Sequence, residues 1–210
     1  MAAMKPTKTL LVLALMLVPA VAFAQRGGYY NQPQAATELP GGFHNRMGRL
    51  AWGFSIGLGG MHDAGSQVTS CNNCDYNPLA VEADAHIGGF LGPRFALMGE
   101  VQVNGKTVQL NGYDGDTIIS QNALMIAGQF WITPQLWVKG GIGFAHMQAD
   151  DAYFTYDVGD GGVVMGAVGF ELFSARDMAV DVQGRLIQGA YHGIDDKVTS
   201  GTVGVGINWY

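Results

Sequence analysis

From about residue 48 onward the chain alternates between large apolar and small or polar side chains, in eight short stretches. Successive side chains of a β-strand point to opposite faces, so a period of two predicts strands with two different surfaces. In the first stretch Leu50, Trp52 and Phe54 share one face, while Gly53 and Ser55 share the other. The other stretches begin near residues 79, 95, 123, 136, 164, 180 and 202. The repeated alternation predicts an all-β chain of eight strands.

The connections between these stretches alternate in length. Long ones cover roughly residues 61–78, 106–117, 148–161 and 190–199. Short ones carry turn-forming residues, as in Gly92-Pro93-Arg94, Thr133-Pro134 and Ala175-Arg176-Asp177. Short turns join neighbouring antiparallel strands, and a sheet of such strands can close on itself. We therefore expect an eight-stranded antiparallel up-and-down β-barrel.

Two kinds of eight-stranded barrel are compatible with this pattern, and they differ in the face that points outward. A soluble, lipocalin-like calyx turns its apolar face inward, so its other face must be rich in charged groups. Here that other face is mostly Gly, Ala and Ser, and the whole chain has 32 glycines and only 13% charged residues. Small side chains suit a narrow lumen, whereas bulky apolar ones suit lipid, where barrel closure pairs every backbone group. The sequence favours the transmembrane barrel over the calyx.

Aromatic residues cluster near the ends of the predicted strands. The set near the short turns is Trp52, Phe95, Phe130, Trp131, Trp137, Phe173, Trp209 and Tyr210. The set near the long connections is Tyr76, Tyr113, Phe144, Tyr153, Phe154, Tyr156 and Tyr191. Aromatic girdles flank the apolar band of membrane barrels, so we expect each set to lie at one membrane interface.

The first 24 residues have the organisation of a signal peptide. Two lysines precede an apolar run from Leu10 to Val18, and small residues follow at the positions that a signal peptidase reads. The run is shorter than the roughly 20 residues of a transmembrane helix, although an uncleaved anchor remains the alternative. We expect cleavage between Ala24 and Gln25, a flexible extension over 25–47, and a barrel domain over 48–210 in the bacterial outer membrane.

The predicted last strand ends as Val203-Gly204-Val205-Gly206-Ile207-Asn208-Trp209-Tyr210. This aromatic end, together with the eight-stranded pattern, makes residues 48–210 resemble small outer-membrane barrels such as the OmpA transmembrane domain and OmpX. The resemblance implies that the outer-membrane assembly machinery recognises the C-terminal strand. The sequence departs from that family at Tyr210, which is one position out of phase with the predicted lipid-facing side chain of Trp209.

Charged side chains on the small-residue face should point into the barrel. The predicted interior cluster consists of Arg49, Glu82, Asp84, Glu100, Lys139, Glu171, Asp181 and Arg185. Buried charges need partners, because removing one partner leaves the other uncompensated at about 3–5 kcal/mol. We therefore expect paired charges that fill the lumen and leave no continuous water channel.

The first long connection contains the only two cysteines, as Cys71-Asn72-Asn73-Cys74. In an oxidising envelope a local disulfide between Cys71 and Cys74 is the expected state. A metal site with the nearby His62, Asp63 and Asp75 is the alternative, but two cysteines fall short of a structural zinc pattern.

The long connections also carry ten aspartates, without the spacing of a calcium loop. Solvated charge is favoured over divalent-cation binding, and we expect no metal and no cofactor.

The segment Gly53-Phe54-Ser55-Ile56-Gly57 matches the G-x-S-x-G nucleophile elbow of hydrolases. That elbow requires a strand-to-helix corner, whereas Ser55 lies within an unbroken alternation.

The net charge of −6 disfavours nucleic-acid binding. We expect a monomeric, non-enzymatic outer-membrane protein with a structural or surface-interaction role, in contact with membrane lipid and lipopolysaccharide. The alternatives are a small porin-like channel and, less favoured, a lipid-modifying outer-membrane enzyme.

Overall fold

Eight long antiparallel strands form one closed sheet in the computed structural model, which describes residues 38–39, 41–63, 66–67, 79–109, 116–150, 155–175, 177–192 and 197–210. The strands are β1 (Leu50–Asp63), β2 (Ala80–Gly92), β3 (Phe95–Gln109), β4 (Asp116–Trp131), β5 (Leu136–Asp150), β6 (Thr155–Ser174), β7 (Met178–Tyr191) and β8 (Lys197–Trp209). Each strand pairs with the next along the chain, and β8 pairs with β1. A two-residue strand, Ser66–Gln67, extends the sheet beside β1. The predicted eight-stranded up-and-down barrel is confirmed.

The alternation of side chains places the apolar face outside and the small and polar face inside. On β1 the side chains of Phe54 and Ile56 are exposed, whereas Ala51 and Ser55 are buried. The outward apolar face continues around the barrel, where Phe144 is 80% exposed. This is the arrangement expected of a membrane barrel, and it is the reverse of a soluble calyx.

Among the described residues, no helix is long and apolar enough to cross a membrane.

The strands extend further than predicted at the end of the barrel that carries the long connections, which we call the long-loop end. β3 runs to Gln109 and β4 begins at Asp116, while β5 runs to Asp150 and β6 begins at Thr155. Beyond an apolar band both faces of a barrel can meet water, so polarity stops alternating while the backbone hydrogen bonds continue. The sequence pattern therefore ends before the sheet does.

One glycine shows how tightly the interior is packed. An added Cβ at Gly169 would lie 2.1 Å from Cζ2 of Trp137, its cross-strand partner on β5. Gly166 lies three residues earlier on the same strand, faces outward, and has nothing within 4 Å of the corresponding position. Only glycine leaves room for the Trp137 indole inside the barrel.

The segment before β1 packs against the opposite end of the barrel, which we call the short-turn end. A turn at Gly41 and Gly42, both with φ in the left-handed region, joins two-residue strands at Glu38–Leu39 and Phe43–His44. Phe43 is buried, with the Arg94 guanidinium 3.7 Å from the centre of its ring. The described part of the predicted N-terminal extension, which spans residues 25–47, covers the short-turn end.

Candidate functional site

The middle of the lumen is organised around Arg185 on β7. Its Nη1 lies 3.0 Å from Oε1 of Glu82 and 2.8 Å from Oε1 of Glu100, and its Nη2 lies 2.7 Å from Oδ2 of Asp84. These four side chains are buried. One guanidinium thus joins three carboxylates from β2 and β3, which uses the planar, multidentate geometry that lysine lacks.

A second cation and two hydroxyls complete this central charge network. Lys139 on β5 donates to Oε2 of Glu100 at 3.1 Å. The hydroxyls of Thr202 and Ser55 donate to Glu82 and Asp84 respectively. Each of the three carboxylates contacts at least one cation. The two cations therefore offset much of the negative charge of the network across the width of the lumen.

A second polar cluster lies at the short-turn end, centred on Glu171. Its carboxylate accepts from both terminal nitrogens of Arg46 at 3.2 and 3.3 Å, from Nε1 of Trp131 at 2.7 Å, and from the Tyr210 hydroxyl at 3.1 Å. The Arg46 guanidinium lies 3.8 Å from the centre of the Tyr210 ring. Phe90 packs against both Trp131 and Tyr210, with ring centres 5.2 and 5.4 Å away. These five residues form an aromatic floor beneath the central charge network.

Four of the aromatic residues assigned to the membrane girdles instead point into the lumen, so their assignment was wrong: Trp131, Trp137, Tyr191 and Tyr210. Trp131 and Trp137 flank a short turn in the inward phase, and Tyr210 binds Glu171. This contact gives a physical reason for the phase shift noted at the C-terminal end. The exposed members of the predicted girdles include Trp52, Phe95, Phe130, Phe144, Tyr156 and Phe173. Tyr76, Tyr113, Tyr153 and Phe154 lie outside the described residues.

The predicted interior charges are all buried in the lumen except Arg49. Arg49 precedes β1 and pairs with Asp177 at the short-turn end, where both side chains are partly exposed. Asp181 accepts from the Asn208 amide at 2.8 Å, inside the barrel. Sequence reasoning missed two buried cations, Arg46 and Lys106, which are 3% and 2% exposed. Arg46 precedes the alternating stretches, so their period carried no information about its position. Lys106 lies on β3, in a stretch that the sequence pattern assigns to a long connection.

The serine of the G-x-S-x-G segment is not arranged for nucleophilic attack. Ser55 donates to Asp84, and Nδ1 of His86 lies 3.4 Å from the other oxygen of the same carboxylate. In a hydrolase triad the histidine stands between the serine and the carboxylate, so that it can accept the hydroxyl proton. Here the carboxylate occupies the central position, and Ser55 lies in the middle of β1, which continues as a strand to Asp63.

A group that could bind a metal occurs in the same region. Asp84, His86 and Glu100 each offer one ligand atom, and these atoms lie within 4.8 Å of one another. Asp84 and Glu100 are already ion-paired with Arg185, so a metal ion would compete with a fixed cation for the same oxygens. The predicted disulfide cysteines Cys71 and Cys74, and the predicted cleavage position at Ala24 and Gln25, lie outside the described residues.

The closed barrel, the outward apolar face and the charged lumen define a small β-barrel of the outer-membrane type. The chain is similar to Ail, the attachment invasion locus protein of Yersinia pestis, which was solved in complex with the heparin analogue sucrose octasulfate. The two chains share 13% sequence identity with a TM-score of 0.52, and the similarity covers 76% of this chain and 98% of Ail. Neisserial surface protein A shares 11% identity over 76% of this chain and 95% of its own, with a TM-score of 0.49. At these identities the similarity concerns the fold. No family model and no curated protein sequence matches the chain.

Proposed function

We propose that this protein is an integral outer-membrane barrel with a structural or surface-interaction role, without catalysis and without an open channel. The membrane location is supported by the outward apolar face, on which Ile142 and Val203 are 68% and 70% exposed. Apolar patches of more than a few hundred Å² are rare on soluble monomers, so a continuous apolar face around a barrel is expected to contact lipid.

The observation that carries the non-channel function is the filled lumen. The central charge network and the aromatic floor occupy successive levels of the barrel, as expected of an eight-stranded interior. Reconstituted wild-type protein in planar bilayers should therefore show no stable open channel, next to a large porin as positive control. Stable single-channel openings from folded protein would favour the porin-like alternative.

The lipid-modifying enzyme is the less favoured alternative, because Ser55 and His86 are separated by Asp84 and are buried in the lumen. Deletion of the gene should leave the lipid A profile unchanged. A modification that disappears with the gene and returns with the wild-type copy would contradict the proposal.

For the surface role, we propose that membrane lipid and lipopolysaccharide surround the apolar band, that the assembly machinery recognises β8, and that the barrel is a monomer. The sequence places ten aspartates against two lysines in the long connections, and this negative charge disfavours an anionic ligand such as the heparin analogue bound to Ail. Surface labelling of intact cells, compared with a deletion strain in binding assays, would test this role. Long-loop sites that are inaccessible on intact cells would contradict it.

A further inference from the structure

A cleft of about 440 Å³ opens on the outer surface of the barrel at the short-turn end, where β8 closes against β1. Its lining residues are Arg49, Leu50, Trp52, Asp177, Trp209 and Tyr210. The cleft is shallow and open to its surroundings. Of the residues in the central charge network and the aromatic floor, only Tyr210 lines this cleft.

Two opposite charges meet at the cleft. Nη2 of Arg49 contacts Oδ1 of Asp177, and the two side chains are 31% and 69% exposed. The backbone holds both residues in place, because Phe90 N donates to the Arg49 carbonyl and Tyr210 N to the Asp177 carbonyl, each at 3.0 Å. The cleft therefore presents a guanidinium and a carboxylate side by side, on backbone segments that are hydrogen-bonded to the barrel.

The wall of the cleft on the apolar band consists of two stacked indoles. The rings of Trp52 and Trp209, which are cross-strand partners, lie 4.3 Å apart with an interplanar angle of 11°. Tryptophan is enriched at the level of lipid headgroups, because its ring is apolar and its N–H is polar. The charged pair beside these rings thus lies at the depth where headgroups meet acyl chains.

We propose that this cleft binds the headgroup of a phospholipid that carries a phosphate and a primary ammonium, as phosphatidylethanolamine does. Arg49 would bind the phosphate, because guanidinium donates two parallel N–H bonds to phosphate oxygens. Asp177 would accept from the ammonium, which has three N–H donors, whereas a choline headgroup has none. The lipid thus matches both charges of the cleft. This inference rests on the proposed membrane location.

The test uses the full barrel in phosphatidylcholine vesicles that contain phosphatidylethanolamine or phosphatidylcholine with brominated acyl chains, which quench nearby tryptophans. Trp131 and Trp137 are buried in the lumen, so Trp52 and Trp209 report lipid contact. We expect phosphatidylethanolamine to be preferred about two- to fivefold, the range of one exposed ion pair.

Three variants assign the effect to the two charges. Asp177→Asn should remove the preference for phosphatidylethanolamine, and Asp177→Glu should keep it. Arg49→Gln should weaken the binding of both phosphatidylethanolamine and phosphatidylcholine, because both headgroups carry the phosphate. Arg94→Gln, at the same end of the barrel but outside the cleft, is the matched control and should behave as wild type. Each variant is verified as folded by SDS gel electrophoresis, in which an unboiled folded barrel should migrate differently from the boiled protein.

The outcomes separate the headgroup site from the membrane location. Equal quenching by both lipids in the wild type, or a preference that survives Asp177→Asn, overturns the headgroup site and leaves the membrane location intact. Absence of quenching by either brominated lipid means that the outer indoles do not contact acyl chains. That result overturns the proposed function and this site with it.

Discussion

Replacing Arg185 by methionine should destabilise the barrel strongly at neutral pH and less at mildly acidic pH. The substitution removes three buried ion pairs, at 3.0, 2.8 and 2.7 Å. Lys139 still neutralises Glu100, so the uncompensated charge falls mainly on Glu82 and Asp84. Methionine keeps much of the aliphatic volume, which limits the cavity. Loss of one partner of a buried pair costs about 3–5 kcal/mol, and we expect that loss here.

The pH dependence follows from the protonation that can relieve an uncompensated carboxylate. An ordinary glutamate has a pKa of about 4.3, so protonating it at about pH 7 costs roughly 1.36 × 2.7, or about 3.7 kcal/mol. At about pH 5 the same cost is roughly 1.36 × 0.7, or about 1 kcal/mol. A folded state that binds more protons than the unfolded state gains stability as pH falls. The loss in free energy of unfolding of Arg185→Met relative to wild type should therefore be smaller at about pH 5 than at about pH 7, by about 2.7 kcal/mol for each carboxylate that becomes protonated.

The measurement is urea unfolding of the barrel in lipid vesicles, with the wild type and the variant compared at both pH values. Lys197→Met, an exposed change on β8, is the control and should stay within about 0.5 kcal/mol of wild type. A deficit of Arg185→Met below about 1 kcal/mol at neutral pH would refute the charge network as a stabilising element. A full deficit that does not change with pH would attribute the loss to packing instead.

Three further predictions concern packing, orientation and export. Gly169→Ala should destabilise the barrel by about 1–3 kcal/mol because its Cβ meets an indole, whereas Gly166→Ala should be nearly neutral; equal urea stabilities would contradict this. A spin label at Val182 should be relaxed by lipid-soluble oxygen and one at Gln183 should not, because they lie on opposite faces; lipid access at 183 would reverse the assignment. Mass spectrometry of the envelope fraction should give a mature N-terminus at Gln25, and a species that retains the first 24 residues would favour the uncleaved anchor.

The sequence by itself determined the barrel and the outward face, because a strand records the polarity of its two surroundings at every second residue. This holds where one face meets an apolar environment, as along Phe54 and Ile56, and it also located the inward Glu82, Asp84 and Arg185. The polarity pattern stops marking a strand where both of its faces meet water. The pattern therefore predicts ends for β3 and β5 that are too early, because backbone pairing continues there while the polarity of the side chains no longer alternates.

Only the tertiary structure decided which charges meet. Arg185 contacts residues about a hundred positions earlier in the chain, and closure of the sheet brings them together across the lumen. Arg46 lies outside the alternating stretches and binds Glu171 because the segment before β1 folds back under the barrel. Tyr210 binds the same carboxylate from the end of β8. A period-two pattern describes which face a side chain takes, but not its neighbours across a lumen. The physical reason is that such contacts depend on barrel radius and strand register, which are properties of the closed sheet.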